Sequence, residues 1–217
     1  MTGTTFGALV VQNNGNIRKA LKGGVLIAPM SAALPTSLTT GATPTLNTLT
    51  GFNSLGFFDD SGAVRSEKLT MQDVPAWGKT VPVRTDTVSD VTSVKVVALE
   101  SNLWTLAAFF RQPSSALVPN VTSGELVITK LISSTVNYQR VLVLTQDGAA
   151  GSEFWIGQLL PNAAVTAIGN MSFNSAKNTI TYDMTFTAYE DPTAGFDEQM
   201  FYGGPGWLAA ATVEDGA

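Results

Sequence analysis

Between Val81 and Gln112 the chain reads VPVRTDTVSDVTSVKVVALESNLWTLAAFFRQ, and inside this stretch one hydrophobic period gives way to another. From Val91 to Leu99 valines recur at near-alternate positions, the period of a strand buried on at least one face. Ser101 and Asn102 follow, both good N-caps because a side-chain oxygen accepts from the orphan N–H groups of a first helical turn. Leu103, Leu106, Ala107 and Phe110 then fall at i, i+3, i+4 and i+7. Trp104 and Phe109 widen the stripe, and Pro113 closes it. The pattern predicts a strand feeding a helix over about 101–112. Such a helix spans roughly 15–18 Å, so it serves as a lid packed on a sheet through Leu103, Trp104, Leu106 and Phe110.

The remaining punctuation is that of a β protein. Residues 1–22 read as an N-terminal arm in which Ile17 to Leu21 adds a turn of helix, and GGVLIAP, Gly23 to Pro29, as a short buried strand. Met30 to Gly51 is a long loop rich in Ser, Thr, Ala, Gly and Pro. Its Leu34, Leu38, Leu46 and Leu49 suit an arm that orders against a neighbouring subunit. FNSLGFFDDSG predicts a strand turning at Asp59 to Gly62, SEKLTMQDV a strand with one wet face, and Val74 to Trp77 a bend carrying Trp77 towards the core. GELVITKLI, YQRVLVLTQDG, SEFWIGQLLP and AAVTAIGNMSF are further strands, with a hairpin turn at Asp147 to Ser152 and a loop at NSAKN. In NTITYDMTFTAYED, Ile180, Tyr182, Met184, Phe186 and Ala188 face one way and Thr181, Asp183, Thr185 and Thr187 the other. Residues 23–202 form the expected β domain and 203–217 a C-terminal tail, with Phe201, Tyr202 and Trp207 pointing to docking of this end of the chain.

Chemistry is scarce. The 217 residues include no cysteine and no histidine, which removes thiolate nucleophiles, histidine general bases and nearly every zinc, copper or iron site. Asp59 with Asp60 and Glu190 with Asp191 are adjacent carboxylates that point to opposite faces of a strand, so neither pair is a working dyad. GGPG at Gly203 to Gly206 lacks the GK[ST] of a phosphate loop and reads as a turn. A net charge of -5 without a Lys/Arg cluster argues against tight DNA binding. The N-terminus has no signal-peptide pattern, and the longest apolar run, Leu103 to Phe110, is too short to span a bilayer. From these residues no cofactor, metal or catalytic site is expected.

In order and spacing, GGVLIAPMSAALPT, the AWG of Ala76 to Gly78, RTDT leading into ALESNLWTLAAFF, and TYDMTFTAYEDPTAGFDEQMFY resemble the major tail (tail tube) proteins of long non-contractile-tailed bacteriophages, especially those infecting actinobacteria. The resemblance implies a mainly β, antiparallel sandwich or barrel of the tail-tube type with one flanking helix. It also implies hexameric rings stacked into a tube whose lumen is one continuous β-barrel, made in the host cytoplasm and ending in the virion tail. Partners implied are further copies of the chain, the tape measure protein, tail assembly chaperones and the tail terminator, with double-stranded DNA passing through unbound. An extra immunoglobulin-like domain, present in some relatives, is not expected in this chain.

Unpaired edges suit pairing between subunits, and carboxylates lining a conduit would repel phosphate. The polar faces holding Lys68, Thr70, Gln72, Asp183 and Thr185 are the candidate lumen. Rival readings are another virion ring protein such as a tail terminator, a β-sandwich hydrolase, and a carbohydrate-binding module with a platform of Trp77, Trp155 or Trp207.

Overall fold

A computed structural model of the chain describes residues 6, 10, 12–130, 132, 135–173 and 179–214, with side chains as far as 210. The NSAKN loop lies outside the described residues. Ten strands follow in order: β1 Lys22–Pro29, β2 Thr39–Thr40, β3 Thr45–Leu46, β4 Asn53–Ser54, β5 Phe58–Val74, β6 Arg84–Ala98, β7 Gln139–Asp147, β8 Phe154–Ile168, β9 Tyr182–Ala188 and β10 Gln199–Gly203. Helix α1, Leu103–Phe109, lies between β6 and β7, and α2, Pro205–Glu214, follows β10. The main sheet runs β4-β1-β7-β8-β9-β6-β5, with β10 also on β8, and every pairing is antiparallel. Between β4 and β5 the chain crosses from one end of this sheet to the other. The Leu55 N–H donates to the Val25 carbonyl at 3.0 Å, and the Leu99 N–H to that of Phe57 at 2.8 Å. The sheet therefore curls on itself around one core.

Alternation fills that core. Val94, Val96 and Ala98 of β6, Val141 and Val143 of β7, and Tyr182, Met184, Phe186 and Ala188 of β9 all point inward and are buried. Strand β8 is longer than expected because SEFWIGQLLP and AAVTAIGNMSF run on as one strand through Pro161. Pro161 and Asn162 together oppose Arg140 where the β7 register slips, a bulge, which is where a sheet tolerates a residue that cannot donate. Beyond the bulge the other edge of β8 changes partner, from β10 along Trp155–Leu159 to β9 along Ala163–Ile168.

Helix α1 closes the core as the expected lid, but it is shorter and rotated. Asn102 caps it by accepting from the Thr105 N–H at 2.9 Å. It ends at Phe109 because Arg111 takes the left-handed conformation (φ 57°). The Gln112 and Arg111 N–H groups then donate to the Ala107 and Ala108 carbonyls in a Schellman arrangement. Thr105, Ala107, Ala108 and Phe109 are buried, Trp104 and Leu106 pack against the core edge, and Leu103 and Phe110 stay more than a third exposed. The Thr105 hydroxyl turns inward because it donates to the Leu55 carbonyl at 2.7 Å.

Other expectations are corrected. Asp59 to Gly62 is not a turn but an irregularity within β5, where the register slips between Phe58 and Ala63. The described residues of GELVITKLI form no strand. Ile17 to Ala20 has no helical turn and follows a 3-10 turn at Asn14–Asn16. GGPG is the junction of β10 and α2, with Pro205 at the first helical position where its missing N–H costs nothing. The tail docks as expected, Trp207 lying edge-on to Phe154 and beside Tyr202.

The long loop folds back on its own chain. Leu38, only 4% exposed, packs with Leu142 and Leu159 on the outer face of β7 and β8, and Leu34, Leu49, Phe52 and Phe201 surround it. A Cβ at Gly157 would stand 2.2 Å from the Leu38 side chain, so glycine is what lets the loop sit this close.

Phe109→Ala is expected to lower stability by about 3–5 kcal/mol and Phe110→Ala by distinctly less; equal shifts in denaturant midpoint would contradict the rotated helix. Leu38→Ala is expected to cost about 2–5 kcal/mol, and an unchanged melt would mean the loop is not part of the packed unit.

Candidate functional site

Strands β5 and β6 outrun the body that carries them. Strand β9 pairs β6 only from Ser93 to Ala98, so Glu67–Val74 and Arg84–Thr92 continue as a two-stranded ribbon whose outer edges both lack partners among the described residues. Isolated two-stranded pairs are marginally stable in water, and open edges are templates for another strand. The strand expected to have one wet face has two: Leu69 and Met71, on the side continuous with the core, are 49% and 57% exposed. At the tip Val81 and Val83 are exposed and Trp77, expected to turn inward, is wholly exposed at 105%. The tip turns at Ala76 to Lys79, where the Lys79 N–H donates to the Ala76 carbonyl at 3.1 Å and Gly78 supplies the required positive φ of 76°. Trp77 stands on this turn with no core within reach.

The root of the ribbon is tied to the body by charge. Arg65 donates to Glu198 through Nε at 2.7 Å and Nη2 at 2.6 Å, and through Nη2 to Glu67 at 2.8 Å. Gln158 of β8 donates to the same Glu198 Oε1 at 2.6 Å. A two-point guanidinium–carboxylate pair is among the stronger polar contacts. The Arg65 hydrogen bonds hold the Glu198 carboxyl below the usual carboxylate range against the opposing pull of burial, with further help from Gln158 and Thr92. The same contact raises the Arg65 pKa further above its ordinary value.

All five candidate lumen residues fall on one face. Gln72, Thr70, Lys68, Ser66 and Val64 alternate along β5. Ser66 opposes Ser93, which opposes Thr187, and Val64 opposes Lys95, which opposes Thr185. Directly opposed residues project to the same side, so Lys68, Thr70, Gln72, Asp183 and Thr185 share the surface away from the core. This surface is rich in hydroxyl groups, as in the Thr166–Thr187 hydrogen bond at 2.6 Å. It is not acidic. Lys95 pairs with Asp183 at 3.0 Å and Arg84 with Asp86 at 2.5 Å, which leaves Lys68 as the cation without an ion pair on it among the described residues.

The remaining candidates scatter. Of the loop leucines, Leu34, Leu38 and Leu49 are used by the chain's own second core, and Leu46 alone is exposed. Asp59 accepts from Ser61, and Asp191 accepts from the Thr193 and Ala194 N–H groups near the half-buried Arg140, so each serves local structure. Trp77, Trp155 and Trp207 make no common platform, since Trp155 is buried and Trp77 stands at the ribbon tip. Among the described residues no group of three or more Asp or Glu side chains could hold a metal ion, and no helix is long and apolar enough to cross a membrane. The ribbon was missed from sequence because period 2 reports a strand without reporting whether anything covers it. The available signal was the bracketing of an apolar tip by Pro75 and Pro82.

The sequence profile of the family described as phage tail tube protein matches residues 10–199. No curated protein matches the chain.

A carboxyl held below its unfolded value of about 4.5 contributes stability that is present above that pH and lost as pH falls through the depressed native value. Glu198→Gln is therefore expected to be less stable than the parent at pH 7, with the gap narrowing progressively below about pH 4.5. Melting curves across pH 2–7 check this, and a gap independent of pH would remove the ionic role of Glu198.

Proposed function

The chain belongs to the phage tail tube protein family, a structural component of the virion tail, and from that premise we propose that it assembles as hexameric rings stacked into the tube that conducts DNA to the host. The family is structural, in keeping with the absence of cysteine and histidine chemistry. The observation that carries the assembly reading is the β5–β6 ribbon, with two open edges and Leu69, Met71, Val81, Val83 and Trp77 exposed. A surface of this kind is a liability on a permanent monomer and an interface in a polymer. Edge-to-edge pairing of ribbons around a ring would join the β5–β6–β9 sheets of neighbouring copies and satisfy the backbone groups that one copy leaves open.

In such a ring the face bearing Lys68, Thr70, Gln72, Asp183 and Thr185 lines the lumen. Its suitability as a conduit rests on charge balance and hydroxyl groups, not on carboxylate repulsion. Paired cations release few counterions to a passing polyphosphate, so little holds the DNA in place. The tape measure protein, assembly chaperones, tail terminator and a long non-contractile tail belong to this reading through the resemblance of the sequence.

Purified protein viewed by electron microscopy over a concentration series is expected to form stacked rings or tubes of uniform width. Met71 and Thr87 are register partners, so the ribbon can be cut back by replacing residues 72–86 with an Asn-Gly turn. The shortened chain is expected to keep the parent's melting midpoint within a few degrees and to form no tubes. Tubes from the shortened chain would defeat the proposal that the ribbon builds them.

A further inference from the structure

At the root of the ribbon, where β6 parts from the end of β9, lies a groove of about 680 Å³. Its apolar lining includes Val91, Tyr189 and Phe196, and Asp90, Glu190 and Asp197 stand around it. None of these three carboxylates makes an ion pair among the described residues. Lys68, which opposes Val91 across the β5–β6 pair, forms no ion pair with them either. The far end of the same ribbon carries the opposite character. From Pro75 to Val83 the tip contains one cation, Lys79, and no acid, beside the wholly exposed Trp77 and the exposed Val81 and Val83. Lys79 likewise makes no ion pair among the described residues. An aromatic, cationic knob and an apolar groove with an acidic rim are complementary in both shape class and sign.

The tip cannot reach the groove of its own chain. Strand β5 runs six residues on from Lys68, opposite the groove, to Val74, which at 3.2–3.4 Å per residue is roughly 20 Å, and the turn bearing Trp77 lies beyond that end. We infer that the ribbon tip of one copy docks in the root groove of a second copy, Trp77 lying on Tyr189 and Phe196 and the Lys79 ammonium among Asp90, Glu190 and Asp197. The contact joins two different patches, so it is heterologous, and each copy that receives a tip still presents its own. The inference rests on the tube-forming reading and names one of its contacts.

The test uses assembled parent protein treated with a zero-length carbodiimide, which couples an amine only to a carboxylate it touches. Peptide mapping is expected to find Lys79 joined to Asp90, Glu190 or Asp197. Lys79→Glu is expected to raise the concentration at which assemblies appear several-fold while leaving the monomer's melt unchanged, and adding Glu190→Lys is expected to bring that concentration back. Parent tubes in which Lys79 remains uncoupled, or Lys79→Glu tubes appearing at the parent's concentration, would overturn the docking and leave the tube reading standing. A parent that stays monomeric at every concentration, with Lys79 uncoupled, would remove both.

Discussion

Backbone hydrogen bonding is the constraint on which this structure turns. A sheet satisfies its N–H and C=O groups only where a neighbouring strand is present, and buried groups left unpaired cost free energy comparable to a lost hydrogen bond. The chain meets this demand by curling the sheet, so that the segment between β4 and β5 carries backbone bonds from β1 across to β6. Strand β8 extends the solution by serving β7 on one edge and both β10 and β9 on the other, with the Pro161 bulge at the changeover. Along the β5–β6 ribbon the demand goes unmet among the described residues.

Packing then fixes what the hydrogen bonds outline. One core lies inside the curl and is closed by α1, whose Phe109 meets Tyr182 edge-on at 5.3 Å. A second lies outside β7 and β8 under the long loop. The two share the sheet, with Leu142 and Leu159 facing out and Val141, Val143 and Leu160 facing in. The Arg65–Glu198–Gln158 contact sits where core gives way to ribbon and couples β5 to β8 and to the approach to β10. It holds the ribbon root to the body while the tip remains open.

The polar face of β5, β6 and β9 is the other product of strict alternation. Burying Tyr182, Met184 and Phe186 on one side commits Asp183, Thr185 and Thr187 to the other, and cross-strand register extends that surface out along the ribbon. Its near neutrality comes from local pairs, Lys95 with Asp183 and Arg84 with Asp86, that sequence totals conceal. A chain with net charge -5 can thus present a balanced polar face and, at the groove bordering it, carboxylates without ion pairs among the described residues.

Period, caps and turn residues lie in the sequence because they are local. They identified β1, β6, β7 and β9, the Asp147 to Ser152 turn, a helix cap at Ser101 or Asn102, of which Asn102 is the one used, and the sharing of one face by Asp183 with Thr185 and by Lys68 with Thr70 and Gln72. They also excluded the catalytic residue types that the chain lacks. What only tertiary structure decided was which strand faces are covered and which edges have neighbours. Leu69 and Leu38 look alike in sequence, yet one is left in water because no layer lies over the ribbon and the other is buried because Gly157 lets the loop approach. Burial depends on what residues distant in the chain bring alongside, and no local pattern contains that information.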